Sequence, residues 1–410
     1  MKNERSESNI ERIYETDAYQ TSFTATVVNL SRDSSGKFLV QLDRTAFFPE
    51  GGGQAGDRGK LEEYAVEDVR KIDGAVVHIL APVPVHLEET VKEVFVKGRE
   101  VHGEVDFALR FLRMQNHLAE HLFCGIANKR FGYDNVGFHL TDVVTFDLNG
   151  PLSAEEIAGI ETACNEAVWK NAKVNVLFPT PEELESMEFR SKLELEEGVR
   201  LVEIEGYDCC ACCAPTLHTL GEIGVIKVLD FMPHRGGTRI TLIAGETAWK
   251  DYVRADSQLK EMMKLFSSSR EVTAEYAEEF VRKTNLMHEE NTALKKEVAA
   301  LFTEKVKRLA ESGKDRVLFV MKDADEAQIR SIINATVKDY DGIVIGLRGN
   351  DKEGYRYVCG RRQASEEYSL KTLAAELKEH FGGRGGGSEV MIQGLVEAKE
   401  ATIRKYFDEN

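Results

Sequence analysis

Apolar and polar positions alternate in short runs over residues 21–104. Ser22-Phe-Thr-Ala-Thr-Val-Val and Lys37-Phe-Leu-Val-Gln-Leu repeat with a period of two. Ala75-Val-Val-His-Ile-Leu and Thr90-Val-Lys-Glu-Val-Phe-Val continue the pattern. Such runs separated by turn signals predict strands, and together they predict a small N-terminal β-barrel. Near residue 105 the period lengthens. Residues 105–130 predict a strong helix with Phe111, Met114, Leu118 and Leu122 facing a core. A strand from Val143 follows, then a helix over roughly 153–172 that starts after Ser153, with Glu155 and Glu156 near its positive end. Pro181 opens another short helix, and Val199-Arg-Leu-Val-Glu-Ile alternates as a strand. Ile223–Leu229 and Thr238–Ala244 predict a hairpin around Arg235-Gly236-Gly237.

From about 247 to 312 the pattern is helical and charged, with a break near Ser267-Ser-Ser269. Its patchy apolar stripe (Leu259, Met262, Phe266, then Tyr276, Phe280, Leu286) predicts a long hairpin or coiled-coil connector solvated on one face. Residues 315–410 return to alternating strands and helices. The predicted fold class is α+β in four parts: a barrel with a glycine-rich loop over 1–104, an α+β metal-binding domain over 105–246, a helical connector over 247–312 and a C-terminal α/β domain over 313–410.

Composition narrows the class. A hydrophobic content of 42% with 30% charge belongs to a globular chain. No apolar run is long enough to span a bilayer, and the charged start (Met1-Lys-Asn-Glu-Arg-Ser-Glu) lacks a secretory apolar core. The expected location is therefore the cytoplasm, with no membrane partner. A net charge of −17 argues against coating DNA through bulk electrostatics. Residues 311–410 hold 16 Lys and Arg against 18 Asp and Glu, so this part repels phosphate least.

The most specific chemistry lies in two separated segments. His117 and His121, four apart in a helical stretch, share one face one turn apart. Further on the chain reads Cys209-Cys210-Ala-Cys212-Cys213-Ala-Pro-Thr216-Leu-His218. In a reducing compartment clustered cysteines favour metal or catalysis over disulfides. Two imidazoles with a Cys/His loop point to a soft tetrahedral site for one zinc ion. Glu120, between the histidines, faces away from them and is expected at the surface or behind the ligands. Glu50-Gly51-Gly52-Gly53-Gln54, with Gly56 and Gly59 beyond, is richer in glycine than a plain tight turn needs and predicts a loop at a binding site. Gly382–Ser388 predicts a second glycine-rich loop, in which Arg384, Gly385 and Gly386 can meet a phosphate or base.

Together these motifs resemble the editing module of alanyl-tRNA synthetase. The resemblance rests on Phe48-Pro-Glu-Gly-Gly-Gly-Gln54 with Gly56-Asp57-x-Gly59, the His117/His121 pair, the cysteine loop running into Gly221-Glu-Ile-Gly224, and the C-terminal Gly-Gly-Arg-Gly-Gly-Gly. The order is kept and covers almost the whole chain, while no aminoacylation domain precedes it. The chain thus looks like a stand-alone, long-form alanyl-tRNA editing protein. That resemblance implies hydrolysis of the 3′ aminoacyl ester of tRNA(Ala) carrying serine or glycine, a zinc ion, and a C-terminal domain that binds tRNA and mediates association. A homodimer through the connector or the C-terminal domain is expected.

Carried over residue by residue, the resemblance implies metal ligands at His117, His121 and Cys212. It assigns the editing-pocket loop to Glu50, Gly51, Gly52, Gly53 and Gln54. Thr45, Thr216 and His139 are candidate substrate contacts, and Arg384, Gly385 and Gly386 candidate tRNA contacts. One position departs: the fourth ligand falls on Thr216, not on a histidine. Three outcomes are open. His218 shifts inward, three protein ligands act with water, or the site has weakened. The competing readings are a non-catalytic tRNA-binding protein and a redox or zinc-storage protein. The latter explains the cysteines but not the glycines.

Overall fold

The computed structural model describes residues 10–141, 143–191, 199–362 and 369–409. The charged start Met1–Glu7 lies outside the described residues. The chain divides into two compact units, Met1–Lys260 and Glu261–Asn410.

In the first unit six antiparallel strands close on themselves in the order β1-β2-β5-β4-β3-β6. They are β1 (Ser22–Arg32), β2 (Phe38–Leu42), β3 (Gly59–Leu61), β4 (Tyr64–Ile72), β5 (Ala75–Leu80) and β6 (Glu100–Val105). Their alternate residues, among them Val27, Val40, Leu42, Leu61 and Val69, fill the interior. The strand expected at Thr90–Val96 is instead helix α1 (Glu88–Val94). Val91 within it and Phe95 just past its end are buried while Glu93 between them is exposed, a pattern of one helical face and not of strand alternation.

Beyond the barrel runs α2 (Phe107–Phe131), followed by β7 (Asn135–Leu140), β8 (Val144–Leu148) and α3 (Ala154–Lys170). Ser153 caps α3 in a full capping box with Glu156. Strands β9 (Val174–Leu177), β10 (Leu201–Ile204) and β11 (Asp208–Ala211) form a three-stranded antiparallel sheet. Strands β12 (Ile226–His234) and β13 (Gly237–Ala244) make the expected hairpin, turning at Arg235 and Gly236, both at positive φ. With β8 and β7 they build a four-stranded sheet. The core between sheets and helices includes Met114, Leu118, Leu122, Phe146, Ile160 and Leu242. Each large apolar side chain buried there is worth about 1.5–3 kcal/mol.

Two long helices follow, α4 (Gly245–Phe266) and α5 (Thr273–Ala310), with the interruption at the serine run. In the second unit a five-stranded sheet has the order β14 (Arg316–Val320), β15 (Ile343–Asn350), β16 (Gly354–Gly360), β18 (Met391–Val396), β17 (Arg384–Gly387). Only the first pair is parallel. Helices α5 and α6 (Glu326–Thr336) cover one face, and α7 (Leu370–Phe381) and α8 (Glu400–Glu409) cover the other.

The glycine run expected as a loop is the edge strand β17. Gly385 pairs with Gly394, and the Tyr357 ring passes across both. A Cβ on Gly394 would lie 2.6 Å from Tyr357 Cε1. The glycines here make room for an aromatic ring under a sheet edge.

Candidate metal centre

Asp106 starts α2 by accepting from the Leu109 N–H at 3.1 Å, and Gly132 ends it in the left-handed conformation. No proline interrupts the 25 residues between, so His117 and His121 stand one turn apart with ring centroids 5.1 Å from each other. Both are buried. Gly125 continues their stripe. A Cβ at that position would sit 2.6 Å from the Asp208 Cβ, so glycine lets β11 lie against the helix. Strand alternation then puts Asp208, Cys210 and, just past the strand, Cys212 on the helix side. The Arg200 guanidinium fixes the loop by donating to the Cys212 carbonyl at 2.7 Å and the Ala214 carbonyl at 2.9 Å.

His117, His121 and Cys212 offer ligand atoms all within 4.8 Å of one another. Cys212 Sγ lies 3.8 Å from His117 Nε2. Burial alone raises the Cys212 thiol, but the two imidazoles beside it more than reverse this and hold it well below the ordinary thiol range. Cys210, one strand repeat earlier, is raised by burial and stays a thiol. Two nitrogens and a thiolate form a donor set suited to zinc.

The glycine-rich loop reaches this cluster. Gly51 and Gln54 exchange two backbone hydrogen bonds of 3.0 Å, with Gly52 and Gly53 at φ 58° and 85°. This is the tight turn in which both central residues need positive φ. Its outer side packs on β7: Gly53 C=O accepts from the Leu140 N–H at 3.0 Å, and a Cβ at Gly53 would lie 2.6 Å from the Phe138 carbonyl oxygen. The turn delivers Gln54, fully buried, with Oε1 2.7 Å from His117 Nδ1. Oε1 accepts the Nδ1 proton, so Nε2, the nitrogen facing Cys212, is the one left to give its lone pair to a metal ion in place of a proton. Phe138 stacks on the same imidazole, centroids 4.6 Å apart. The loop is anchored by a buried ion pair between Arg110 and Asp57 and by Arg113, which donates to the Gly56 carbonyl at 2.6 Å.

Other candidates fall elsewhere. Glu50 is exposed and points to Arg70, 3.7 Å away. Thr45 is buried, but its hydroxyl donates to His78 Nε2 at 2.8 Å and accepts from the Phe47 N–H at 3.0 Å, leaving little capacity for a substrate. Thr216 is buried and His139 exposed. His218 does not join the cluster. Its carbonyl holds the Val174 N–H, its own N–H donates to Glu222, and its ring stacks on Tyr19 at 4.2 Å. Glu120 is not at the surface: it is buried, accepting from Asn135 and from Cys124 Sγ. The residues that sequence reasoning missed are Asp208 and Arg190. The period of two linking positions 208, 210 and 212 was the available signal for Asp208.

In the C-terminal unit Arg384 is exposed. With Arg348, Arg356 and Gln393 it lines a pocket of about 230 Å³. Arg348 and Arg356 face each other across β15 and β16. No described helix is long and apolar enough to cross a membrane.

No protein-family model matches the chain. Individual relatives do match. The chain is 26% identical over 419 residues to the alanyl-tRNA editing protein AlaX-L of Pyrococcus horikoshii, covering 96% of each. It is 27% identical over 397 residues to the alanyl-tRNA editing protein Aarsd1 of Rattus norvegicus, covering 92% of each. It is also 29% identical over 402 residues to the alanine–tRNA ligase of Methanopyrus kandleri, spanning only 42% of that longer protein. The similarity to stand-alone alanyl-tRNA editing proteins therefore runs nearly end to end.

Proposed function

We propose that the protein is a trans-editing hydrolase that removes serine, and also glycine, from misacylated tRNA(Ala). The observation that carries this reading is the hydrogen bond that the glycine-turn residue Gln54 accepts from His117 of a buried His117/His121/Cys212 cluster, in a chain matched along its length by editing proteins. A retired site has no reason to keep an imidazole tautomer set for ligation.

The chemistry has a physical rationale. A synthetic pocket sized for alanine gains little against glycine, which lacks one methyl, or serine, which adds a hydroxyl. A second site that hydrolyses the wrong ester restores the difference. In that reaction water adds to the ester carbonyl, the carbon–oxygen bond to the ribose breaks, and the ribose oxygen takes a proton. We assign one zinc ion to His117, His121 and Cys212, three protein ligands being a sufficient catalytic shell. A bound zinc ion supplies Lewis acidity to an ester carbonyl and favours ionisation of water. Gln54 orients His117, the Gly51-Gly52-Gly53 turn brings backbone rather than side chains to the pocket wall, and Phe138 keeps water from one face of the imidazole. His139 and Thr216 are our candidates for contacts to the aminoacyl end, and no such role is given to Thr45 or Glu50.

The division into 1–104, 105–246, 247–312 and 313–410 follows these roles. We assign the tRNA body to the C-terminal part through Arg384, Gly385 and Gly386, with Arg348 and Arg356 beside them. Association into a homodimer through the connector or this domain, and a cytoplasmic location, complete the reading. A non-catalytic tRNA binder is the second reading, favoured by Thr216 at the fourth-ligand position.

The test is deacylation of Ser-tRNA(Ala) by the wild-type protein and by the double variant His117→Ala/His121→Ala, with Ala-tRNA(Ala) as control. Selective hydrolysis by the wild type, lost in the variant with tRNA binding retained, is expected. Tight tRNA binding without hydrolysis by the wild type selects the second reading.

A further inference from the structure

The two histidines of the cluster are supported differently. His117 Nδ1 meets the neutral Gln54 amide. His121 Nδ1 is buried and makes no hydrogen bond among the described residues. Asp208 Oδ2 stands 3.7 Å from it. The Asp208 side chain is only 3% exposed, and the Arg190 guanidinium donates to both its oxygens at 2.7 Å. Arg190 is itself fixed, because its backbone pairs with β11: its N–H donates to the Cys209 carbonyl at 2.8 Å and its carbonyl accepts from the Ala211 N–H at 2.9 Å.

We propose that Asp208, oriented by Arg190, is the positioning residue for His121, accepting the Nδ1 proton when Nε2 binds the metal. This rests on the zinc assignment above. If His121 gives its Nε2 lone pair to the ion, its proton must sit on Nδ1. A buried N–H needs an acceptor, and Asp208 Oδ2 is the carboxylate oxygen within reach. A rotation of the ring that closes 3.7 Å to hydrogen-bond length completes a carboxylate–histidine–metal arrangement. The bidentate Arg190 pair keeps the buried carboxylate ionised and fixes its plane.

A second arrangement uses the same atoms. His121, Asp208 and Cys210 also offer ligand atoms within 4.8 Å of one another, as a separate ion site would. The Arg190 guanidinium on both Asp208 oxygens opposes it, since a divalent cation there would meet a fixed positive charge. The support therefore differs between the two ligands: a neutral acceptor behind His117 and an ionised one behind His121, which raises the basicity of His121 in particular.

The test titrates metal-stripped wild type, Asp208→Asn and His117→Ala/His121→Ala with zinc against a competing chelator. One ion per wild-type chain is expected, with affinity weakened about 10- to 100-fold in Asp208→Asn and lost in the double variant. Nitrogen-15 NMR of zinc-loaded wild type, which needs no variant, is expected to show His121 protonated at Nδ1 with a downfield, slowly exchanging proton. A cobalt-loaded Asp208→Asn protein is expected to show a changed ligand-field spectrum, which a purely structural ion pair would not produce. Equal zinc affinity in wild type and Asp208→Asn overturns the role of Asp208 alone. His121 protonated at Nε2, or two ions per chain, overturns it in favour of ligation by Asp208 and Cys210. No zinc binding by the wild type overturns the zinc assignment itself and the inference with it.

Discussion

Gln54 Oε1 accepts the Nδ1 proton of His117 at 2.7 Å, joining residues 63 positions apart, one from a glycine turn and one from a helix. The bond fixes which imidazole nitrogen is free. Replacing Gln54 with alanine removes the acceptor and leaves a buried N–H unpaired. Zinc affinity is expected to fall about 10- to 100-fold with the far-ultraviolet circular dichroism spectrum unchanged, as chelator competition would measure. Unchanged affinity would mean that His117 needs no such support.

The two inner glycines of the turn differ in a way that can be tested. Gly53→Ala would put a Cβ 2.6 Å from the Phe138 carbonyl at φ 85°, so the turn must leave β7 and carry Gln54 with it. Gly52→Ala meets nothing within 4 Å and carries only the left-handed backbone cost of about 1 kcal/mol. Metal binding and deacylation should drop sharply in the first variant and little in the second. Equal loss in both would show that the turn responds to backbone strain and not to its packing on Phe138.

The Arg110–Asp57 pair holds the loop to the helix with both side chains at most 1% exposed. Asp57→Ala strands the guanidinium in the protein interior, and about 3–5 kcal/mol of stability is expected to be lost. Urea denaturation of the variant measures it. A loss below 1 kcal/mol would mean that water or another group reaches Arg110.

Much of this architecture was legible in the sequence because its signals are local. Helix α2 announces itself through the spacing of Met114, Leu118 and Leu122, and the hairpin turn through Arg235-Gly236-Gly237. The histidine pair and Cys212 were legible as ligand types. What was not legible depends on long-range approach. Glu120 lies off the histidine face, yet Asn135 and Cys124 bury it. His218 sits close to Cys212 in sequence but is held on Tyr19. The glycines around Arg384 read as a loop because the Tyr357 ring they accommodate is nearly thirty residues away. Asp208 was hidden among four cysteines.

The barrel carries a pH-sensitive residue away from the metal cluster. His78 is fully buried, donating from Nδ1 to the Val40 carbonyl at 3.0 Å and accepting from Thr45 at Nε2. Burial depresses its pKa to about 4 from an ordinary 6.5. The unfolded chain therefore binds the proton more readily between those values, and stability falls as pH drops from 6.5 towards 4. The full difference is about 3 kcal/mol. His78→Gln, which cannot titrate, should flatten this part of the stability–pH curve in denaturant titrations. An unchanged slope would place the acid sensitivity in other groups.

The most direct measurement is the rate of Ser-tRNA(Ala) deacylation by the purified protein before metal stripping, after it, and after zinc is restored. Hydrolysis that spares Ala-tRNA(Ala), disappears with the metal and returns with it is expected. Hydrolysis that survives complete removal of the metal, or none in the zinc-loaded protein, would contradict zinc-dependent editing.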